Sequence, residues 1–251
     1  MAKINISTER ILNKLDELLG RNDYESAEKH LLYWLDEAEN AGDKRATLLV
    51  KNELAGLYRK LSRKDDALKV VSSLIDLINE MDIENNVGAA TTFINAATVY
   101  KAFDYPQKSL TLFEKARVIY EENLPENDER FGGLFNNMAL TLVDLKRFNE
   151  AYELYDKAVS VMSKNEDGDL EVAITYLNIA SAKETELGAE ESDLVIREYL
   201  EKAIEILDKH ENKDGYYAFV CEKCASVFGY FGYFLYKKDL EERVRKIYER
   251  S

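Results

Sequence analysis

Proline and glycine are scarce in this chain, at 2 and 11 of 251 residues. So few breakers exclude a many-stranded β fold, which needs frequent turns, and suit long helices. Cysteine is scarce too. Two residues, Cys221 and Cys224, make no disulfide framework, which points to a reducing compartment. A zinc site needs about four ligands, the chain has no other cysteine, and His30 and His210 fall in the second helices of the first and fifth repeats, so no metal and no cofactor is expected. No apolar run approaches the ~20 residues of a membrane helix. The start, MAKINISTERILNKL, has no apolar signal core and turns amphipathic at once, so a cytoplasmic chain off the membrane is expected. Positive charge is in deficit: 34 Lys+Arg against 48 Asp+Glu give a net charge of −14. That average repels a phosphate backbone and no basic run reverses it, so no nucleic-acid partner is expected. The same acidity favours solubility and a monomer or weak homodimer.

What the chain has in quantity is amphipathic helix. Its 46% hydrophobic content can build a core, which excludes disorder. The clearest stretch is Phe135 to Val161, FNNMALTLVDLKRFNEAYELYDKAVSV. It reads as two short helices with a tight joint at Leu145-Lys146-Arg147. Ala151, Leu154, Tyr155, Ala158, Val159 and Met162 share one helical face. The same pattern recurs on either side. Marks midway along successive first helices fall at Leu15, Ala55, Ala97, Ala139, Ala180 and Ala225, spaced 40, 42, 42, 41 and 45 apart. Early in the second helices stand Ala27, Ala67, Ser109 and Ala151, each 12 residues after the mark of its own unit. Small residues at a fixed offset have a physical reason: only they let two helices cross at close range. The fifth unit keeps the pattern with about four extra residues, placed in a longer joint from Gly188 to Asp193.

These residues resemble the tetratricopeptide repeat (TPR) family. The family's first helix carries an apolar–small pair, here Leu54-Ala55, Ala96-Ala97, Met138-Ala139 and Ile179-Ala180, then an aromatic three residues later, here Tyr58 and Tyr100. Leu142 and Lys183 stand at the later aromatic positions, a departure. A period near 42 exceeds the usual 34. It is similar to the long repeats of kinesin light chains and of bacterial peptide-sensing regulators. Those regulators often carry an N-terminal DNA-binding domain; with the first repeat starting about ten residues from Met1, none is expected here. The resemblance implies an all-α, right-handed superhelical solenoid of about six antiparallel helix pairs. It is expected to run as one domain over 1–251, with repeats at 8–43, 44–85, 86–127, 128–167 and 168–213 and a capping pair at 214–251.

The resemblance also implies a non-enzymatic scaffold that binds a protein or peptide segment in a concave groove. Two residues before the mark stand Asn13, Asn95, Asn137 and Asn178, with Asn52 and Asn136 one place earlier. An Asn amide offers a donor and an acceptor, which matches a peptide unit whatever its side chain. About a turn further on, Arg59, Lys101 and Ser181 join that face, the two cations suited to a carboxylate. No catalytic constellation stands out. Cys221-Glu222-Lys223-Cys224 places both thiols on an apolar helix face, as packing groups. Gly132-Gly133 is too bare for a phosphate loop. The aromatic C-terminal pair, from Tyr216 to Tyr236, reads as a cap over the fifth unit. The alternative is a self-associating protein that uses those rings as its interface.

Overall fold

The computed structural model describes residues 6–166 and 168–249, and all regular structure among them is helical. The chain forms two compact units, residues 1–123 and 124–251. The first holds α1 (Thr8–Gly20), α2 (Tyr24–Ala41), α3 (Lys44–Lys60), α4 (Lys64–Met81), α5 (Val87–Ala102) and α6 (Pro106–Asn123). The second holds α7 (Arg130–Asp144), α8 (Phe148–Met162), α9 (Asp169–Leu187), α10 (Ala189–Lys209), α11 (Gly215–Tyr230) and α12 (Phe234–Tyr248).

Five of the six pairs turn in the same way. A three-residue joint places its middle residue in the left-handed region: Asn22, Ser62, Asp104, Lys146 and Gly232, with φ between 55° and 83°. The next N–H then reaches back to the first helix. Asp23 N bonds Leu18 O, Arg63 N bonds Tyr58 O, Tyr105 N bonds Tyr100 O and Arg147 N bonds Leu142 O, each at 2.9 Å, and Tyr233 N bonds Phe228 O at 2.8 Å. This six-to-one bond satisfies a carbonyl that the helix end leaves orphaned. Ser62 and Lys146 hold a conformation that costs roughly 1 kcal/mol without glycine. The bond and the packing it aligns offset that cost.

Within each unit, partners pack side by side, and α2 leans on α3, α4 on α5 and α8 on α9. First helices also touch their successors, α3 with α5, α7 with α9 and α9 with α11. The small marks sit at these crossings: Ala27, Ala67, Ala97, Ala139, Ala151, Ala180 and Ser109 are all fully buried.

The fifth pair differs from its expected form. No loop spans Gly188 to Asp193. Gly188, at φ 83° and ψ 164°, is alone the joint, and the extra residues lengthen α9 to 19 and α10 to 21 residues. Glu190 and Glu191 in the first turn of α10 suit the positive end of the helix dipole, which favours helix over loop there. The longer α10 approaches α11 less closely than α8 approaches α9. Large rings fill the space between, with Tyr217 and Phe228 fully buried beside Leu200 and Leu207.

Candidate functional site

The first helices carry the polar residues of interest, because their second face points away from their own partner helix. In the first unit, α3 and α5 are joined by a side-chain network. Asn52 Nδ2 donates to Thr92 Oγ1 at 3.1 Å and to the Leu48 carbonyl at 2.9 Å. Asn95 Nδ2 then donates to Asn52 Oδ1 at 3.0 Å. The second unit repeats this between α7 and α9. Asn136 Nδ2 donates to Thr175 Oγ1 at 3.0 Å, and Asn178 Nδ2 donates to Asn136 Oδ1 at 3.0 Å. Both threonine hydroxyls bond back to their own helices, to the carbonyls of Gly88 and Glu171.

Two asparagine columns therefore have different surroundings. Asn136 is buried at 8% exposure and Asn52 is half-buried, each pinned between two helices. Asn95 and Asn178 are half-buried and held by one N–H, while their Oδ1 atoms accept no bond among the described residues. Asn137 ties one N–H to the Gly133 carbonyl of its own helix, at 2.9 Å. Asn13 is exposed on α1. Pinning fixes the amide plane of Asn95 and Asn178, so a ligand meeting their oxygens would order little that is not already ordered.

The remaining candidates lie around these columns. Ser181 donates to the Leu177 carbonyl at 3.1 Å, one turn beyond Asn178. Arg59 is exposed in the last turn of α3, and Lys101 is half-buried in the last turn of α5. Both cations suit the negative ends of their helices. Where the second repeat has Glu53 in place of Asn, burial first and then the charge of Asp16 hold its carboxyl above the usual range. Cys221 and Cys224 are free and fully buried, and burial pushes both thiols up, Cys224 to about 12. Such thiols are poor nucleophiles and poor metal ligands. Among the described residues no group of three or more His, Cys, Asp or Glu is placed to hold a metal ion, and no helix is long and apolar enough to cross a membrane.

The asparagine column gave no hint of Thr92 and Thr175, yet a signal existed. Each threonine stands five residues before its mark, in the unit after an Asn at three before the mark. Asn136 follows Asn52 by 84 residues and Asn178 follows Asn95 by 83, so the network repeats every second helix pair. A second feature lies on α11. Tyr216, Phe219, Lys223, Ser226 and Tyr230 form one exposed stripe at spacings of three and four. The Tyr216 hydroxyl donates to Glu171, and Lys223 sits 4.1 Å over the Phe219 ring. The stripe on the opposite side, Tyr217, Cys221, Cys224 and Phe228, is the one that packs.

No family model matches this chain, and no curated protein matches it. Solved structures do. BtubC from P. vanneervenii aligns over 81% of this chain and 82% of its own, at 17% identity and a TM-score of 0.68. The kinesin light chain TPR-like repeats of Podosopora anserina align over 80% and 94%, at 16% identity and a TM-score of 0.54. NprR in complex with its cognate peptide NprX aligns over 99% and 70%, at 15% identity and a TM-score of 0.61. At such identities the likeness is one of fold: the chain has the TPR-like all-helical repeat fold.

Proposed function

We propose that this chain is a non-enzymatic scaffold that binds a protein or peptide segment along the inner face of its first helices. The observation that carries this reading is the pinned amide. Asn95 and Asn178 are each fixed by a partner asparagine at 3.0 Å, with the carbonyl oxygen left to accept from outside. A main-chain N–H of an extended segment is the complementary group, and its recognition does not depend on the side chain. Asn13, Arg59 and Lys101 join Asn95 in the first unit, and Asn137 and Ser181 join Asn178 in the second. Asn52 and Asn136 serve as the pins. The likeness in fold to NprR, whose structure holds its cognate peptide, supports the class of ligand.

The test begins with peptides selected on the full chain from a displayed random library. Their affinity is then measured for the wild type and for Asn95→Ala, Asn137→Ala and Asn178→Ala combined. Each lost bond to a buried peptide group is worth about 1 kcal/mol. The triple variant is expected to bind at least about 100-fold more weakly while keeping its helical circular dichroism. Unchanged affinity in a folded triple variant would sink the proposal.

A further inference from the structure

In the second unit the asparagine column ends in a cation. Two residues before the mark Ala225, where α7 has Asn137 and α9 has Asn178, α11 carries Lys223. Contacts between α9 and α11 fix the register. The Tyr216 hydroxyl donates to Glu171, and Tyr230 pairs with Glu184. These partners lie 45 and 46 residues apart, and Lys223 follows Asn178 by 45. Lys223 therefore sits level with Asn178, one helix further along the same face.

Lys223 is exposed, and its ammonium lies 4.1 Å over the Phe219 ring. The ring holds the cation in place without neutralising it. Lys223 makes no ion pair among the described residues. The two acids of α9 that meet α11, Glu171 and Glu184, are each engaged by a tyrosine hydroxyl. They stand seven and six residues from Asn178 along α9. At 1.5 Å per residue that is about 10 Å, roughly a Debye length at ordinary salt, so they offset Lys223 only weakly. Glu222, the acid next to it in sequence, points about 100° around the helix.

We infer that Lys223 holds a carboxylate of the segment bound along the second unit, supplied by an acidic side chain or by the segment's own C-terminus. This rests on the inner-face binding proposed above and adds what amide recognition lacks, a preference among ligand side chains. A single lysine matches one carboxylate, whereas a phosphate is taken by clustered arginines. The spacing follows from helix packing. Neighbouring helices lie roughly 8–10 Å apart, and an extended chain rises about 3.3 Å per residue. The carboxylate therefore lies about three residues from the one whose N–H meets Asn178.

The experiment uses peptides selected on the full chain from a displayed random library, with affinity read by fluorescence anisotropy. Replacing each peptide Asp by Asn and each Glu by Gln, and amidating the C-terminus, should reveal one carboxylate whose loss weakens binding about 10-fold. Which change does so identifies its source. Lys223→Gln should weaken the parent peptide by the same factor and leave the neutralised peptide unaffected. The variant is expected to fold, since Lys223 is exposed and glutamine matches lysine in helix preference, and circular dichroism checks this. An equal loss for parent and neutralised peptides, or no loss for the parent, overturns the inference. Asn178→Ala separates the two proposals. Peptides weakened by Asn178→Ala but not by Lys223→Gln overturn the carboxylate site alone, and peptides indifferent to both overturn the inner-face binding with it.

Discussion

Replacing Phe228 with Ala is expected to cost about 3–5 kcal/mol of stability, the scale for removing a fully buried aromatic ring. Phe228 has no exposed surface. Its ring meets Tyr236 edge-on at 4.8 Å and 77°, and tilts against Tyr233 at 6.1 Å. It belongs to one cluster with Leu200, Leu207, Tyr217 and Leu240, drawn from three helices. Little can collapse into the vacated space, because α10 is already held off from α11. Tyr230, two residues away and 70% exposed, is the control. Its replacement by Ala should change stability by less than about 0.5 kcal/mol. Urea unfolding followed by far-ultraviolet circular dichroism measures both. A Phe228→Ala loss below about 1 kcal/mol would contradict the packing described for the last pair.

The adjacent residues Asn136 and Asn137 should behave as opposites. Asn136→Ala removes the acceptor for Asn178 and the donor to Thr175 at a buried site, at a cost of about 2–3 kcal/mol. It should also free the Asn178 amide to rotate. Asn137→Ala gives up one bond to its own helix, at a half-buried position. Its stability should stay within about 0.5 kcal/mol of wild type, and alanine's helix preference offsets part of that. Thermal melts of the two single variants decide the matter. Equal losses would show that the two columns do not divide as pin and presenter.

Much of this arrangement was legible in the sequence, for physical reasons. The fixed 12-residue offset between Ala55 and Ala67, or Ala139 and Ala151, encodes one helix crossing built repeatedly, and those residues are buried at the crossings. The joints were legible as places, whereas their shared left-handed residue was not. Gly232, and less strongly Asn22 and Asp104, advertise it, while Lys146 and Ser62 adopt it under the direction of the backbone bond. The fifth joint misled because Gly188 followed by polar residues resembles a loop. The acids at 190 and 191 read equally well as a helix start, and the helix prevails.

The candidate site was legible only as a column. A one-dimensional pattern shows that Asn95 and Asn178 recur. It does not show that each leans on an Asn some 42 residues earlier, because that bond crosses between helices of different pairs. The aromatic C-terminal pair was read as one cap. Helical spacing divides it instead: Tyr217 and Phe228 pack inward, while Tyr216, Phe219 and Tyr230 line the opposite stripe.

The central claim is that Asn95, Asn137 and Asn178 present their amides to a bound segment while Asn52 and Asn136 hold the frame. Side-chain amide resonances of the full chain, followed by NMR as a selected peptide is titrated in, test it most directly. Large shifts are expected for the Nδ2 groups of Asn95, Asn137 and Asn178, with those of Asn52 and Asn136 moving little. Saturation with peptide that leaves the first three resonances in place would contradict it.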